Sequence, residues 1–224
     1  THAVSAASKG DAVKPLHNAS TADSYADLPF LPAGGVASAK GFKACGIHAG
    51  FRADPKRLDF ALVAADQPAA CAAVFTTNVF CSAPVTVSKE HLDGVGHGIA
   101  RAVAINSGIA NAATGDKGLE TARQSSGIVA DALGCPVQEV LVASTGVIGQ
   151  HLQMEPFESG APSAVSALSV AGGADAARAI MTTDTKPKEF AVTFSGNGLG
   201  YDGCVFTVGG MAKGSGMIMP NMAL

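Results

Sequence analysis

A layered α/β sandwich is the fold class this sequence predicts, and three observations predict it. Short apolar runs with strand character recur along the chain, Ala-rich segments with helical spacing lie between them, and no internal repeat or low-complexity linker separates the two kinds. The 224 residues are 47% hydrophobic, enough apolar material for one substantial core. Tryptophan is absent and aromatics make up 5%, so that core has to be built from Ala, Val, Ile, Leu and ten Phe. The 27 glycines permit close approach of backbones and many tight turns. A flexible polar segment is expected over 1–34 and a single α/β domain over 35–224.

Residues 35–47 read as a glycine-interrupted strand. Residues 58–64 and 69–76 read as two more, and Asp66-Gln67-Pro68 between them is a turn signal, so a hairpin is predicted. Short strands are predicted over 84–88 and 100–106. The clearest helix is 118–133, where Leu119, Ala122, Ser126, Val129 and Leu133 share one face and Gly134 terminates it. Pro136 blocks continuation, and 137–144 reads as a strand. Two Ala-rich helices are predicted over 162–170 and 173–181. The tail reads as a hairpin, 190–195 and 204–208, around a glycine-rich turn.

Composition excludes several functions. A net charge of −3 and a pI near 6.0, with no Lys/Arg cluster, argue against a nucleic-acid surface. Mean hydropathy is +0.27, yet no apolar run is long enough to span a bilayer, and 1–27 carries no signal-peptide core. The five cysteines form no CxxC pair and sit in apolar or turn contexts, so buried reduced thiols are expected. The six histidines lack ligand spacing, and no metal site is expected. A reducing, soluble compartment follows, with bacterial cytoplasm preferred and a mitochondrial or chloroplast matrix as the alternative.

Four segments carry candidate chemistry. In Ala143-Ser144-Thr145-Gly146-Val147-Ile148-Gly149 a buried strand runs into a Thr-Gly turn, whose backbone N–H groups could face an anionic oxygen; strand-to-loop turns of this kind are common, and alone the segment reads as structural. Met181-Thr182-Thr183-Asp184-Thr185 gathers three hydroxyls and a carboxylate at a helix exit, residues that also satisfy turn backbone. Gly209-Gly210-Met211-Ala212-Lys213-Gly214-Ser215-Gly216 has the composition of a phosphate loop without its Gly-x4-Gly-Lys-Ser/Thr spacing, which excludes a nucleotide site. Lys213 is a lone cation there, suited to a carboxylate or to a solvated surface. Asn106-Ser107-Gly108-Ile109-Ala110-Asn111-Ala112 follows a buried strand and reads as a structural turn.

The order of these segments resembles the α chain of the bifunctional glutamate N-acetyltransferase (ornithine acetyltransferase) family of arginine biosynthesis. The matching stretches include Lys40-Gly41-Phe42-Lys43-Ala44-Cys45-Gly46, Val74-Phe75-Thr76-Thr77-Asn78, Ala104-Ile105-Asn106-Ser107-Gly108, Ala110-Asn111-Ala112-Ala113-Thr114-Gly115, Ser144-Thr145-Gly146-Val147-Ile148-Gly149, Thr182-Thr183-Asp184 and residues 208–223. The resemblance implies a four-layer α/β/β/α sandwich completed by a separate β chain, and an α2β2 heterotetramer. It implies ping-pong acetyl transfer from N2-acetyl-ornithine to glutamate through an acyl-enzyme, with the N-terminal Thr of the β chain as nucleophile. Thr145 and Gly146 match the family's oxyanion hole, and Thr182 and Lys213 match substrate-binding positions. No bound cofactor is implied, and use of acetyl-CoA as co-substrate is left open.

The end of the chain fits that resemblance. Met217-Ile218-Met219-Pro220-Asn221-Met222-Ala223-Leu224 is small and apolar with no closing charge, as if cut inside a functional segment, with the rest of the active site on a second chain. The cleavage site is expected near Ala223 and Leu224. The family pattern has Pro-Asn-Met-Ala followed at once by Thr, whereas here Leu224 follows Ala223; a chain with Leu as its true nucleophile position would neither cleave itself nor transfer acetyl groups. Two further readings remain open at this point: a self-processing aminopeptidase-like hydrolase, and a non-catalytic binding scaffold.

Overall fold

The computed structural model describes residues 30–92 and 96–214. Along them run β1 (Phe42–Ile47), β2 (Phe60–Ala72), α1 (Ala83–His91), β3 (His97–Ile109), α2 (Gly115–Leu133), β4 (Val140–Val147), α3 (Glu155–Ala167), α4 (Gly173–Ala179), β5 (Lys188–Ser195) and β6 (Val205–Ala212). The first four strands form one sheet in the order β1-β2-β3-β4, and β5 and β6 form a separate antiparallel hairpin. β2 runs antiparallel to both β1 and β3, whereas β3 and β4 are parallel. A parallel neighbour requires a crossover, and α2 supplies it. The expected mixed α/β class is the observed one.

The two faces of the sheet are covered differently. Cys45, Leu62, Ala104 and Val142 point to one face, where they meet Val87 of α1, Ala122, Val129 and Ala130 of α2, and Phe157, Ala161 and Ala164 of α3. Rings from Phe51, Phe60 and Phe157 pack edge to face or tilted, with centroids 4.7–5.9 Å apart, at the corner of this layer. On the other face Ala44 and Ala61 meet Ala176, Ala179 and Ile180, with Ile105 and Met211 packed alongside. Alanines allow α4 to lie close; a Cβ on Gly46 would enter the Asp175 carbonyl. The β3–β4 half of this second face is covered unevenly: Leu141 and Val103 pack in a third cluster with Leu92, Ala100 and Phe75, whereas Ala143 is exposed and Ile99 and Val147 are about half exposed.

A serine satisfies part of each edge of the sheet. At β4, the Ser88 hydroxyl of α1 donates to the Val142 carbonyl at 2.9 Å and accepts the Val142 N–H at 3.1 Å, while His91 Nδ1 lies 2.8 Å from the Val140 carbonyl. At β1, Ala44 exchanges both backbone hydrogen bonds with Ser169, each 3.0 Å. Unpaired edge groups invite other strands, and these contacts satisfy them.

Several elements differ from the sequence reading. The hairpin expected over 58–76 is one continuous strand, β2. The turn signal Asp66-Gln67-Pro68 falls where β1 has ended at the Phe42–Ala65 pair, so Pro68 lacks a neighbour on one side, and the irregularity is a register shift against β3 between Ala64 and Ala69. The strand expected over 84–88 is helix α1: Pro84 stands in its first turn, and Pro84, Val87 and Ser88 are buried. The helix expected from Pro162 begins at Glu155, with Pro162 inside it, because Phe157 and Gly160 seat that first half against the core. Glycines 209 and 210 belong to strand β6, not to a loop. The helix over 118–133 stands as expected, closed by Gly134 at φ 66°. The tail hairpin also stands.

The cysteines do not share one environment. Cys45 is buried, donates to the Ala164 carbonyl at 3.2 Å, and burial pushes its thiol up to about 11. Cys71, Cys81 and Cys135 are half-buried and Cys204 is exposed, contrary to the expectation of five buried thiols. The described structure begins with Phe30 bridged to Val192 and stacked edge-on against Phe190 at 4.4 Å.

Replacing Ser88 by Ala should leave the Val142 N–H and C=O without their partner and destabilise the protein by about 1–3 kcal/mol. Chemical denaturation reads this directly, and an unchanged midpoint would show that the clamp contributes nothing.

Candidate functional site

The ends of β3 and β4 form the first part of the site. Ser107 pairs with Thr145 and Gly108 with Gly146. Thr145 and Gly146 therefore lie within the last turns of a strand, not in the loop that the sequence suggested. Gly146 has φ 136° and Gly108 φ 123°, conformations that only glycine adopts without strain. A Cβ on Gly146 would enter the Gly108 carbonyl, and one on Gly108 would come within 3.0 Å of the Phe51 carbonyl. Two facing glycines thus let β3, β4 and the segment before Arg52 approach closely.

Alternation along β4 decides which way its backbone points. Val140 and Val142 direct their polar groups outward to His91 and Ser88. Two-residue periodicity puts the N–H of Gly146 on that same outer side, away from the ladder. The Thr145 side chain projects to the thinly covered face and is half-buried. Beneath it, Asn106 is buried and holds the end of the sheet: its amide donates to the Ile109 carbonyl at 3.0 Å, and Ser144 Oγ donates to its Oδ1 at 2.6 Å. Asn111, fully buried at φ 47°, donates to the Gly118 carbonyl and accepts from Thr114 Oγ1; the turn expected over 106–112 is therefore confined to its second half, because Asn106 to Ile109 are paired with β4 as the end of β3.

The second part of the site is assembled around Asp184, whose side chain is 2% exposed. Its Oδ1 accepts Lys188 Nζ at 2.6 Å and the Gly214 N–H at 2.7 Å; its Oδ2 accepts the Thr182 N–H at 3.2 Å and lies 3.7 Å from Lys213 Nζ. Lys213 also donates to the Gly214 carbonyl at 2.9 Å. One carboxylate thus brings together Thr182 and Lys213, which stand 31 positions apart in the sequence. The Lys188 ammonium first, then the Gly214 and Thr182 N–H groups and Lys213, hold the Asp184 carboxyl well below the usual carboxylate range, against the opposing effect of burial.

The sequence reading missed three contributors. Lys188 is the closest partner of Asp184, and Arg52 and Asp59 connect the two parts of the site: Arg52 Nε donates to Ser107 Oγ at 3.3 Å and Nη2 donates to the Met181 carbonyl at 3.2 Å. Asp59 is fully buried in the segment that carries Arg52. Lys188 lies four residues after Asp184, a spacing open to inspection; nothing local marks Arg52. Ala223 and Leu224, where cleavage was expected, lie outside the described residues.

The fold and site define a class: an α/β domain with one sheet face closed by helices, the other thinly covered, and polar donors gathered at that open face. Residues 43–224 match the model of the ArgJ family. The chain is 50% identical over 184 residues to the arginine biosynthesis bifunctional protein ArgJ of Geobacter sulfurreducens, an alignment covering 82% of this chain and 44% of the relative. A chloroplastic relative of the same name from Zea mays is 48% identical over 192 residues, 85% of this chain and 40% of the relative. The fold is similar to that of ornithine acetyltransferase from Mycobacterium tuberculosis complexed with ornithine, at TM-score 0.76 and 40% identity, covering 87% of this chain and 98% of that one. It is equally similar to the ArgJ protein of Bacillus halodurans, at TM-score 0.77 and 40% identity, covering 88% and 98%. This chain belongs to the ArgJ family, and it spans less than half the length of the curated relatives it matches.

Because the Asp184 pKa is depressed in the folded state, its stabilisation is fully present above the ordinary carboxylate value of about 4 and is lost as pH falls through and below it. Asp184→Asn should flatten this acid limb and cost about 2 kcal/mol at neutral pH. Thermal melting of both proteins between neutral pH and the acid range checks it; parallel curves would refute the assignment.

Proposed function

We propose that this chain is one part of an acetyltransferase that moves an acetyl group from N2-acetyl-ornithine to glutamate. The observation that carries the proposal is the Asp184 cluster: two ammonium groups, Lys188 and Lys213, share one carboxylate. The cluster retains one surplus positive charge beside the Thr182 backbone, suited to the carboxylate of an amino-acid substrate. Family membership and the fold shared with an ornithine acetyltransferase support the same substrate class.

In this reading a hydroxyl nucleophile, the N-terminal Thr of a β chain from the same precursor, attacks the acetyl carbonyl. The Thr145–Gly146 strand end, with its outward N–H, stabilises the oxyanion as the carbonyl becomes tetrahedral. Collapse breaks the C–N bond, the leaving amine takes up the proton lost by the hydroxyl, and ornithine departs from an acetyl ester. The glutamate amine then attacks that ester and regenerates the hydroxyl. No resident cofactor takes part; acetyl-CoA would serve as an alternative acetyl donor to the same hydroxyl. The β chain would stack on the open β3–β4 face, completing an α/β/β/α sandwich, and two such units would form α2β2. Bacterial cytoplasm is the compartment this function suits, with an organelle matrix as the alternative.

The test uses protein made from the full gene. Intact-mass spectrometry should show two fragments, one beginning with Thr, which also fixes the junction relative to Leu224. Acetyl transfer to glutamate should be observed, with Thr145→Ala lowering kcat by roughly tenfold to a hundredfold and Lys213→Ala mainly raising KM. Release of the acetyl group to water only, without transfer, would favour a hydrolase instead; full activity in both variants would reduce this chain to a scaffold.

A further inference from the structure

We propose that Arg52 is a positioning residue that fixes the spacing between the two parts of the site, an inference whose activity readout rests on the acetyl-transfer reading above. Arg52 lies in the connection between β1 and β2, and its backbone is fixed first. The Asp59 carboxylate, fully buried, accepts the Arg52 N–H at 2.9 Å and the Ala49 N–H at 2.6 Å, and His48 Nδ1 lies 3.1 Å away. The Asp59 backbone is tied into the sheet on both sides: its N–H donates to the Ile47 carbonyl at 2.9 Å, and its carbonyl accepts the Ser107 N–H at 2.8 Å. The segment that bears Arg52 is therefore part of the sheet's rigid frame.

From that frame the guanidinium reaches two segments in two directions. Nε donates to the hydroxyl of Ser107, the residue opposite Thr145 in the ladder, and Nη2 donates to the carbonyl of Met181, which immediately precedes Thr182. The Met181 and Thr182 carbonyls lie one and two residues beyond Ile180, the C-cap of α4. Arg57 Nη2 takes the Thr182 carbonyl at 3.2 Å. Partial burial and the neighbouring Arg57 charge pull the Arg52 pKa down, yet a guanidinium remains charged at any working pH. A planar fork holds two acceptors at a set angle, which a single ammonium cannot do. Without it, the segment carrying Thr182 and Asp184 loses its direct side-chain tie to the strand ends that carry Thr145. A displacement of the order of 1 Å in such a site is enough to lower turnover severely.

The experiment compares wild type, Arg52→Ala and Arg52→Lys in the full-length protein. In Arg52→Ala, kcat should fall roughly tenfold or more with KM raised as well; a low concentration of free guanidinium should restore part of the loss, and Arg52→Lys should fall between. Amide hydrogen exchange should rise locally over 181–184. Unchanged exchange there, or an unchanged kcat in an active enzyme, overturns the proposal. So does exchange that rises throughout the β1–β4 sheet with no rescue by guanidinium, since Arg52 would then be a general element of the fold. A wild type that transfers no acetyl group sinks the acetyl-transfer reading, while a local rise over 181–184 would still support the tie made by Arg52.

Discussion

A carboxylate withdrawn from water must be matched by donors, and the site depends on how Asp184 is matched. Its partners come from three places: Thr182 before it, Lys188 at the start of β5, and Lys213 with Gly214 just past β6. An unmatched buried charge is costly, so the same contacts that stabilise Asp184 also determine where those three segments lie. The hairpin β5–β6 begins and ends at this carboxylate. Packing of Met211 against the α4 layer then orients the hairpin relative to the sheet.

The sheet itself explains why the polar groups collect where they do. One face is covered by three helices and a Phe cluster packed against it. The other face is covered by α4 over β1 and β2 and is thin over β3 and β4. Thr145 projects from β4 toward that thin region, and the Asp184 cluster stands beyond the end of α4. On the proposed reading, a substrate would meet backbone donors on one side and a net positive cluster on the other, with Arg52 between them.

How legible this was in the sequence varied with the range of the forces involved. The α2 helix was readable because its apolar spacing and the αL glycine at 134 are both local signals. The class of fold followed from alternation of strands and helices. By contrast, Val85, Thr86 and Val87 favour a strand locally, and only burial of Val87 and Ser88 against β4 makes that segment helical. Asp66-Gln67-Pro68 looked like a turn because the sequence does not reveal that β1 stops at the Ala65 pair. For the site, Thr145, Gly146, Thr182 and Lys213 stand out in the sequence as residue types near turns, and the family resemblance suggests roles for them. Arg52 could not be found this way: an isolated arginine carries no signal until Ser107 and Met181, 55 and 129 positions away, are seen to converge on it.

The serine clamps on the two outer strands have a bearing on assembly. Val142 is occupied by Ser88 on one flank and Ala44 by Ser169 on the other, so each flank has a residue whose main-chain groups are already taken. Lateral enlargement of this sheet is therefore interrupted at one point on each margin. A strand added at either margin would meet main-chain groups already taken at these two places, whereas the exposed side chains of Ile99, Ala143 and Val147 leave apolar surface on the face of the sheet.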